Sequence, residues 1–288
     1  LIRRSFHPST GRPEQNLTRI SMAQNHAGPS AGPVLVSFDV DGTLIHSVGV
    51  HANKLHKAAF TAGFKEVFDT DTHIDVIQHH GGTDPLIVIQ VMAHHGVSKE
   101  EAMLKLAQCQ DAMNQHYLAN ASEAAEGLQI LPGVRALLER LQAHEPRVST
   151  CLVTGNLEPI GLTKMKALGI EPLFSQPWFG GFGSDVCSGN TDETWRDRAE
   201  MVRIAAKKGQ ATVAGAADGW GARFHVGDTP MDVLAALDAG AVAIGVATGI
   251  YSAEQLRACC PPGSEGRRVI LSNLEDTDAV MRALGLGL

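Results

Sequence analysis

Short, mainly apolar runs punctuate this chain, and they are separated by longer stretches in which apolar residues recur every three or four positions. The runs at 34–38, 148–153, 224–226 and 242–246 are rich in Val, Ile and Phe and lack polar alternation. That pattern predicts strands buried on both faces of a parallel sheet. Shorter strands are expected over 177–182 and 269–271. Between them, Val134, Leu137, Leu138 and Leu141 recur at helical spacing. A helix over 158–168 is stopped by Gly169, a polar helix spans 194–208, and a further one follows Asp232. Strand–helix alternation of this kind predicts an α/β fold: a doubly wound, Rossmann-like parallel sheet with helices on both faces.

One stretch breaks the alternation. From His46 to Gly127 the pattern is helical, with no strand. Asp84-Pro85 reads as a cap followed by Pro at the first helical position, and Gly96 closes that helix. Ser98-Lys99-Glu100-Glu101 reads as a capping box that opens the next helix, towards Tyr117. The expected organisation is a core formed by 34–46 and 128–288, with an all-helical unit inserted over 47–127. Residues 1–33 are polar, without apolar periodicity, and are expected to be a disordered extension. Arg3, Arg4, Arg12 and Arg19 against Glu14 also permit an organellar transit reading, and Met22 is an alternative start.

Composition narrows the class. The 288 residues are 44% hydrophobic and 19% charged, as in a globular protein, which excludes fibrous or wholly disordered readings. A net charge of −7 with no basic block argues against nucleic acid as a partner. The most apolar long stretch is broken by Asp238 and glycines, so no membrane span is expected. Five cysteines, an odd number without a C-x-x-C pair, fit reduced thiols in the cytoplasm. Monomer and homodimer both remain open.

The candidate chemistry lies where strands end. Three runs open into Asp39-Val40-Asp41-Gly42-Thr43, Thr154-Gly155-Asn156 and Gly227-Asp228-Thr229-Pro230-Met231-Asp232. In a parallel sheet the carboxyl ends of all strands share one edge, where ligands bind. Asp39, Asp41, Thr154 and Asp228 are therefore expected to converge.

These turns in this order, with Lys164 between the second and third, resemble the four motifs of the haloacid dehalogenase superfamily, and the helical insert resembles its C1-type cap. The resemblance covers nearly everything from Val34 onward and is nearest to the phosphoglycolate phosphatase-like members. It implies that Asp39 is a nucleophile forming an aspartyl phosphate, and that Asp41 protonates the leaving oxygen and then deprotonates water. It implies Mg²⁺ held by Asp39, the backbone carbonyl of Asp41, and Asp228. Asp232 either orients the metal's water shell or satisfies a helix dipole. Thr154, Gly155 and Asn156 would bind phosphoryl oxygens, although the same residue types serve ordinary caps. Lys164 would hold Asp39 and the phosphate together. Lys166 faces another way, and the next lysines are Lys207 and Lys208. The Lys-Pro loop that supplies this residue in other members has no counterpart. Gly81-Gly82-Thr83-Asp84 resembles the substrate loop of the cap. Gly82 stands where many members carry a basic residue.

The implied activity is hydrolysis of a small phosphorylated metabolite. A phosphomutase using the same intermediate is the alternative, and a non-catalytic phosphate-binding module is a third. A dehalogenase would need neither Asp41 nor a metal, and a phosphonatase would want a small residue at 41. His79, His80, His94 and His95 are adjacent pairs pointing different ways on a helix, unsuited to a shared metal. Gly180-Gly181-Phe182-Gly183 with Asp185 is either a loop bordering the site or a plain turn.

Overall fold

A computed structural model describes residues 32–286. The expectations for the first 31 residues, including Met22 as a start, lie outside the described residues. Six parallel strands form one sheet: β1 (Val34–Phe38), β4 (Val148–Thr154), β5 (Gly180–Phe182), β6 (Ala222–Gly227), β7 (Val242–Val246) and β8 (Arg268–Leu271), in the order β5-β4-β1-β6-β7-β8. The chain winds outward from β1 to β4 and β5, then returns to lay β6, β7 and β8 on the other side. The switch point lies between β1 and β6, where open α/β sheets bind ligands.

Strand periodicity sorts the core. Val36 and Phe38 of β1 pack on one face with Leu152, Val226 and Ile244, covered by α4 (Val134–Gln142), α5 (Glu158–Ala167) and α9 (Thr277–Ala283). Leu35 faces the other side with Val153 and Ala243, under α6 (Trp195–Thr212), α7 (Pro230–Asp238) and α8 (Ala253–Ala258). β4 is buried at every residue, Ser149, Thr150 and Thr154 included, as expected of a strand covered on both faces.

The inserted segment leaves and rejoins the core through a short antiparallel ribbon, β2 (Ile45–Ser47) against β3 (Leu128–Ile130). Three-residue strands are too short to show alternation, so the sequence pattern does not mark them. Between them lie α1 (Lys54–Phe68), α2 (Asp84–His94) and α3 (Lys99–Ala119). Phe60, Phe64, Leu86, Val91, Met92, Met113 and Tyr117 form a separate apolar cluster, which Leu157 and Ile160 at the start of α5 enter from the core. The insert is thus seated on the end of a core helix.

One expected cap is corrected. Thr83, not Asp84, is the N-cap of α2: its hydroxyl accepts from the Leu86 N–H at 3.5 Å. Asp84 is the first helical residue, and its carboxylate is engaged elsewhere. Ser98 does cap α3, accepting from the Glu101 N–H at 3.1 Å. Among the described residues no helix is long and apolar enough to cross a membrane. All five cysteines are free thiols.

Candidate active site

The register of the central strands sets the geometry. Phe38 lies opposite both Leu152 and Val226, so the residues just beyond these strands emerge side by side. Asp39 continues β1, its N–H donating to the Val226 carbonyl at 2.9 Å. Asp39, Asp228 and Asp232 are buried, and each brings a carboxylate oxygen within 4.8 Å of the others.

Arg198, on α6, answers part of this negative charge. Its Nη1 donates to Asp39 Oδ1 at 2.8 Å and lies 2.9 Å from Asp232 Oδ1. Asp232 also accepts from the Thr229 N–H at 3.0 Å and from its hydroxyl at 2.5 Å, with His225 Nε2 at 3.3 Å. Burial alone would raise Asp232, yet the Arg198 guanidinium and His225 hold it down to about 2. Asp39 is less well served: burial, with the neighbouring Asp232 charge, pushes it up to about 7 against the pull of Arg198. Asp228, bonded among the described residues to the Thr43 hydroxyl alone at 3.1 Å, is pushed up to about 8 by burial and by Asp39.

Asp41 has different company. Both of its oxygens accept from Lys164 Nζ, at 2.9 and 2.8 Å, and Oδ2 also accepts from Asn156 Nδ2 at 2.8 Å. Burial works against its charge, but the Lys164 ammonium and these hydrogen bonds outweigh it and hold the carboxyl below its ordinary value.

Six of the residues expected at the site, Asp39, Asp41, Thr154, Gly155, Asn156 and Asp228, line one cavity of about 600 Å³, and Gly82 and Asp84 reach it from the insert. Asp232 and Lys164 are buried behind its wall, and Thr83 is occupied in capping α2. Lys164 departs from its expected partner: it pairs with Asp41, and Arg198 holds Asp39 instead. The Thr154 hydroxyl accepts from Asn156 Nδ2 at 3.0 Å. The Gly183 N–H donates to the Asn156 carbonyl at 2.9 Å, so the Gly180–Gly183 stretch braces that turn. His79 and His80 line the cavity without converging on a metal-ligating group, and His95 bonds the Thr72 hydroxyl at 2.7 Å.

Arg198 and His56 were missed, though both leave a trace in sequence. Among the buried residues of α6, Arg198 is followed at helical spacing by Met201, Val202, Ala205 and Gly209, and in α1 His56 is followed by Ala59, Phe60 and Gly63. A charged or titratable side chain on an otherwise apolar stripe needs a buried partner.

The donor set suits a hard divalent cation. It offers carboxylate oxygen without thiolate or imidazole, the ligand type Mg²⁺ takes. Gly249 is shaped to this cradle, since a Cβ there would collide with Asp228 Oδ2.

Residues 34–240 match the family model described as haloacid dehalogenase-like hydrolase. No curated protein matches the sequence significantly. Among solved structures, the chain is similar to a predicted phosphatase from Clostridium acetobutylicum, with 16% identity, TM-score 0.56 and coverage of 88% of this chain and 100% of that one. It is similar to a β-phosphoglucomutase candidate from Bacteroides vulgatus, with 17% identity, TM-score 0.56 and coverage of 89% and 90%. A predicted phosphoglycolate phosphatase from Haemophilus somnus gives 18% identity, TM-score 0.50 and coverage of 86% and 97%. At such identities these likenesses speak for the fold.

Proposed function

Given that the chain belongs to the haloacid dehalogenase-like hydrolase family, we propose that it is a Mg²⁺-dependent phosphatase that hydrolyses a small phosphorylated metabolite through an aspartyl phosphate on Asp39. The observation that supports this most is the pairing at the end of β1. Two carboxylates two residues apart line one cavity, one beside further acids and the other clamped by an ammonium.

Asp39 Oδ attacks phosphorus in line, and the bond between phosphorus and the ester oxygen breaks. The leaving oxygen takes a proton from Asp41. In the resting protein Asp41 is ionised, so it takes that proton from solvent water as the phosphate dianion arrives, since a second negative charge nearby raises a carboxyl's affinity for protons. In the second half Asp41 takes a proton from water, the water oxygen attacks phosphorus, and inorganic phosphate departs from a restored Asp39 carboxylate. Thr154, with the N–H groups of Gly155 and Asn156, binds the phosphoryl oxygens. Asp39, Asp228 and the Asp41 carbonyl would hold Mg²⁺, with Asp232 acting through Arg198 and Thr229. When bound, the ion neutralises the charge shared by these acids and the phosphate.

In this reading residues 47–127 form the cap and 34–46 with 128–288 the catalytic core, and the protein works in the cytoplasm with its thiols reduced. The test is turnover of a panel of phosphorylated metabolites with and without chelator. Free phosphate that disappears with chelator and in Asp39→Asn supports the phosphatase. Isomerised ester without phosphate release would replace it with a mutase, and binding without turnover would replace it with a phosphate-binding module.

A further inference from the structure

A second buried chain of polar groups, apart from the three-carboxylate floor, crosses from the insert into the core. His56, 5% exposed, lies in the first turn of α1, and Asp84, 3% exposed, opens α2. His56 Nε2 is 3.0 Å from Asp84 Oδ2, and its Nδ1 is 3.3 Å from Lys164 Nζ. An ammonium has donors only, so Nδ1 must accept. His56 therefore carries its proton on Nε2 and donates it to Asp84. Phe60, stacked on the ring at 5.1 Å, and Tyr117, edge-on at 6.2 Å, fix the plane of the imidazole.

Asp84 grips the core directly as well. Its Oδ2 accepts from the Leu157 N–H at 2.9 Å, and its own N–H donates to the Gly155 carbonyl at 2.8 Å. The approach is close: a Cβ on Gly155 would lie 2.5 Å from the Gly82 carbonyl oxygen. Leu157 is the N-cap of α5 and Lys164 lies two turns further on. Groups supplied by the insert thus hold α5 at both places.

We propose that His56 and Asp84 are positioning residues, a latch by which the seated insert keeps Lys164 on Asp41 and fixes α5 behind the phosphate turn. The proposal rests on the reading of Asp41 as proton donor. Lys164 is fully buried, so an ammonium proton that lost His56 would have no water to turn to. The ammonium would then shift, and Asp41 would lose its single orientation. Asp84, expected in a substrate loop, lines the cavity and uses its Oδ2 on His56 and the Leu157 N–H.

Two esters separate positioning from a general structural role. 4-Nitrophenolate departs without a proton, whereas the alkoxide of glycerol 1-phosphate needs one. With Mg²⁺ present, His56→Leu is expected to lower kcat/KM for glycerol 1-phosphate by about 30-fold or more, and that for 4-nitrophenyl phosphate by less than about threefold. His56→Gln, whose amide oxygen accepts from Lys164 and whose amide N–H donates to Asp84, should recover most of the loss. Equal losses on both esters, or a Gln variant no better than Leu, would overturn the latch. Amide hydrogen exchange over 156–165 requires no ester, and it should quicken in His56→Leu and Asp84→Ala. Unchanged exchange overturns the proposal too. A wild-type protein that releases phosphate from neither these esters nor any member of the metabolite panel would sink the phosphatase reading alone, and exchange would then decide the latch.

Discussion

Asp39 and Asp41 leave the same strand two residues apart and end in opposite electrostatic states. Asp39 shares its burial with Asp228 and Asp232, and a single guanidinium cannot balance three carboxylates. Asp41 shares its ammonium with a neutral imidazole and no second acid, and it has an amide donor and partial access to water, with 35% of its side chain exposed. Neighbours therefore decide the state of each acid, and they come from different places. Asp39 answers chiefly to the core, through α6 and the β6–α7 turn, with the insert reaching it only at one remove, where the Gly81 carbonyl accepts from Arg198 Nη2 at 3.4 Å. Asp41 answers to α5, which the insert holds.

The most severe way to break this contrast is Asp39→Asn, which should lower phosphate release on the order of 10⁴-fold while leaving the far-UV circular dichroism unchanged. Next comes Arg198→Met, which strands two buried carboxylates. It should cost about 3–5 kcal/mol in urea unfolding. Lys164→Met should cost less, because Asp41 can rehydrate. Its signature lies in kinetics: without the cation the Asp41 carboxyl titrates higher, so the alkaline limb of the kcat–pH profile, where Asp41 loses the proton it donates, moves to higher pH.

A gentler test uses pH and metal together. Asp39 and Asp228 rise from an ordinary 3.8 to about 7 and about 8, so between those limits the metal-free folded state binds more protons than the unfolded chain. That contribution to stability is complete below the ordinary value and is lost as pH rises through the folded values. Mg²⁺ binds the ionised form, so the rise in Tm on adding it should grow between about pH 5 and pH 8. An equal rise at both ends would argue against these two acids as the metal site. The smallest change, Gly249→Ala, should push Asp228 aside and weaken Mg²⁺ affinity about tenfold, read by calorimetric titration.

Sequence carried the sheet well, because β1, β4, β6 and β7 are largely apolar, show no regular polar alternation and are buried along most of their length, which leaves little else for such runs to be. It carried Asp39, Asp41 and Asp228 because strand ends in a parallel sheet share an edge. It did not carry the cations. Lys164 was picked out, but its partner was not: helical spacing says that it faces inward with Ile160 and Gly161, and nothing in that spacing says which acid it meets. Arg198 lies in a helix whose exposed face is polar enough to hide one more charge. His56 is concealed by its neighbours, since its role appears only when α1 and α5, over a hundred residues apart, are brought together.

The β2–β3 ribbon gives the insert a single doorway, with entry and exit side by side through Ile45 and Ile130. Transplanting a foreign helical module at that doorway would close the chain at little entropic cost. Unless the guest brought an imidazole and a carboxylate to the two spots on α5, it would leave the lysine beneath the threshold without its counterpart. Such chimeras would fold, and they would handle esters of acidic alcohols better than esters of ordinary ones.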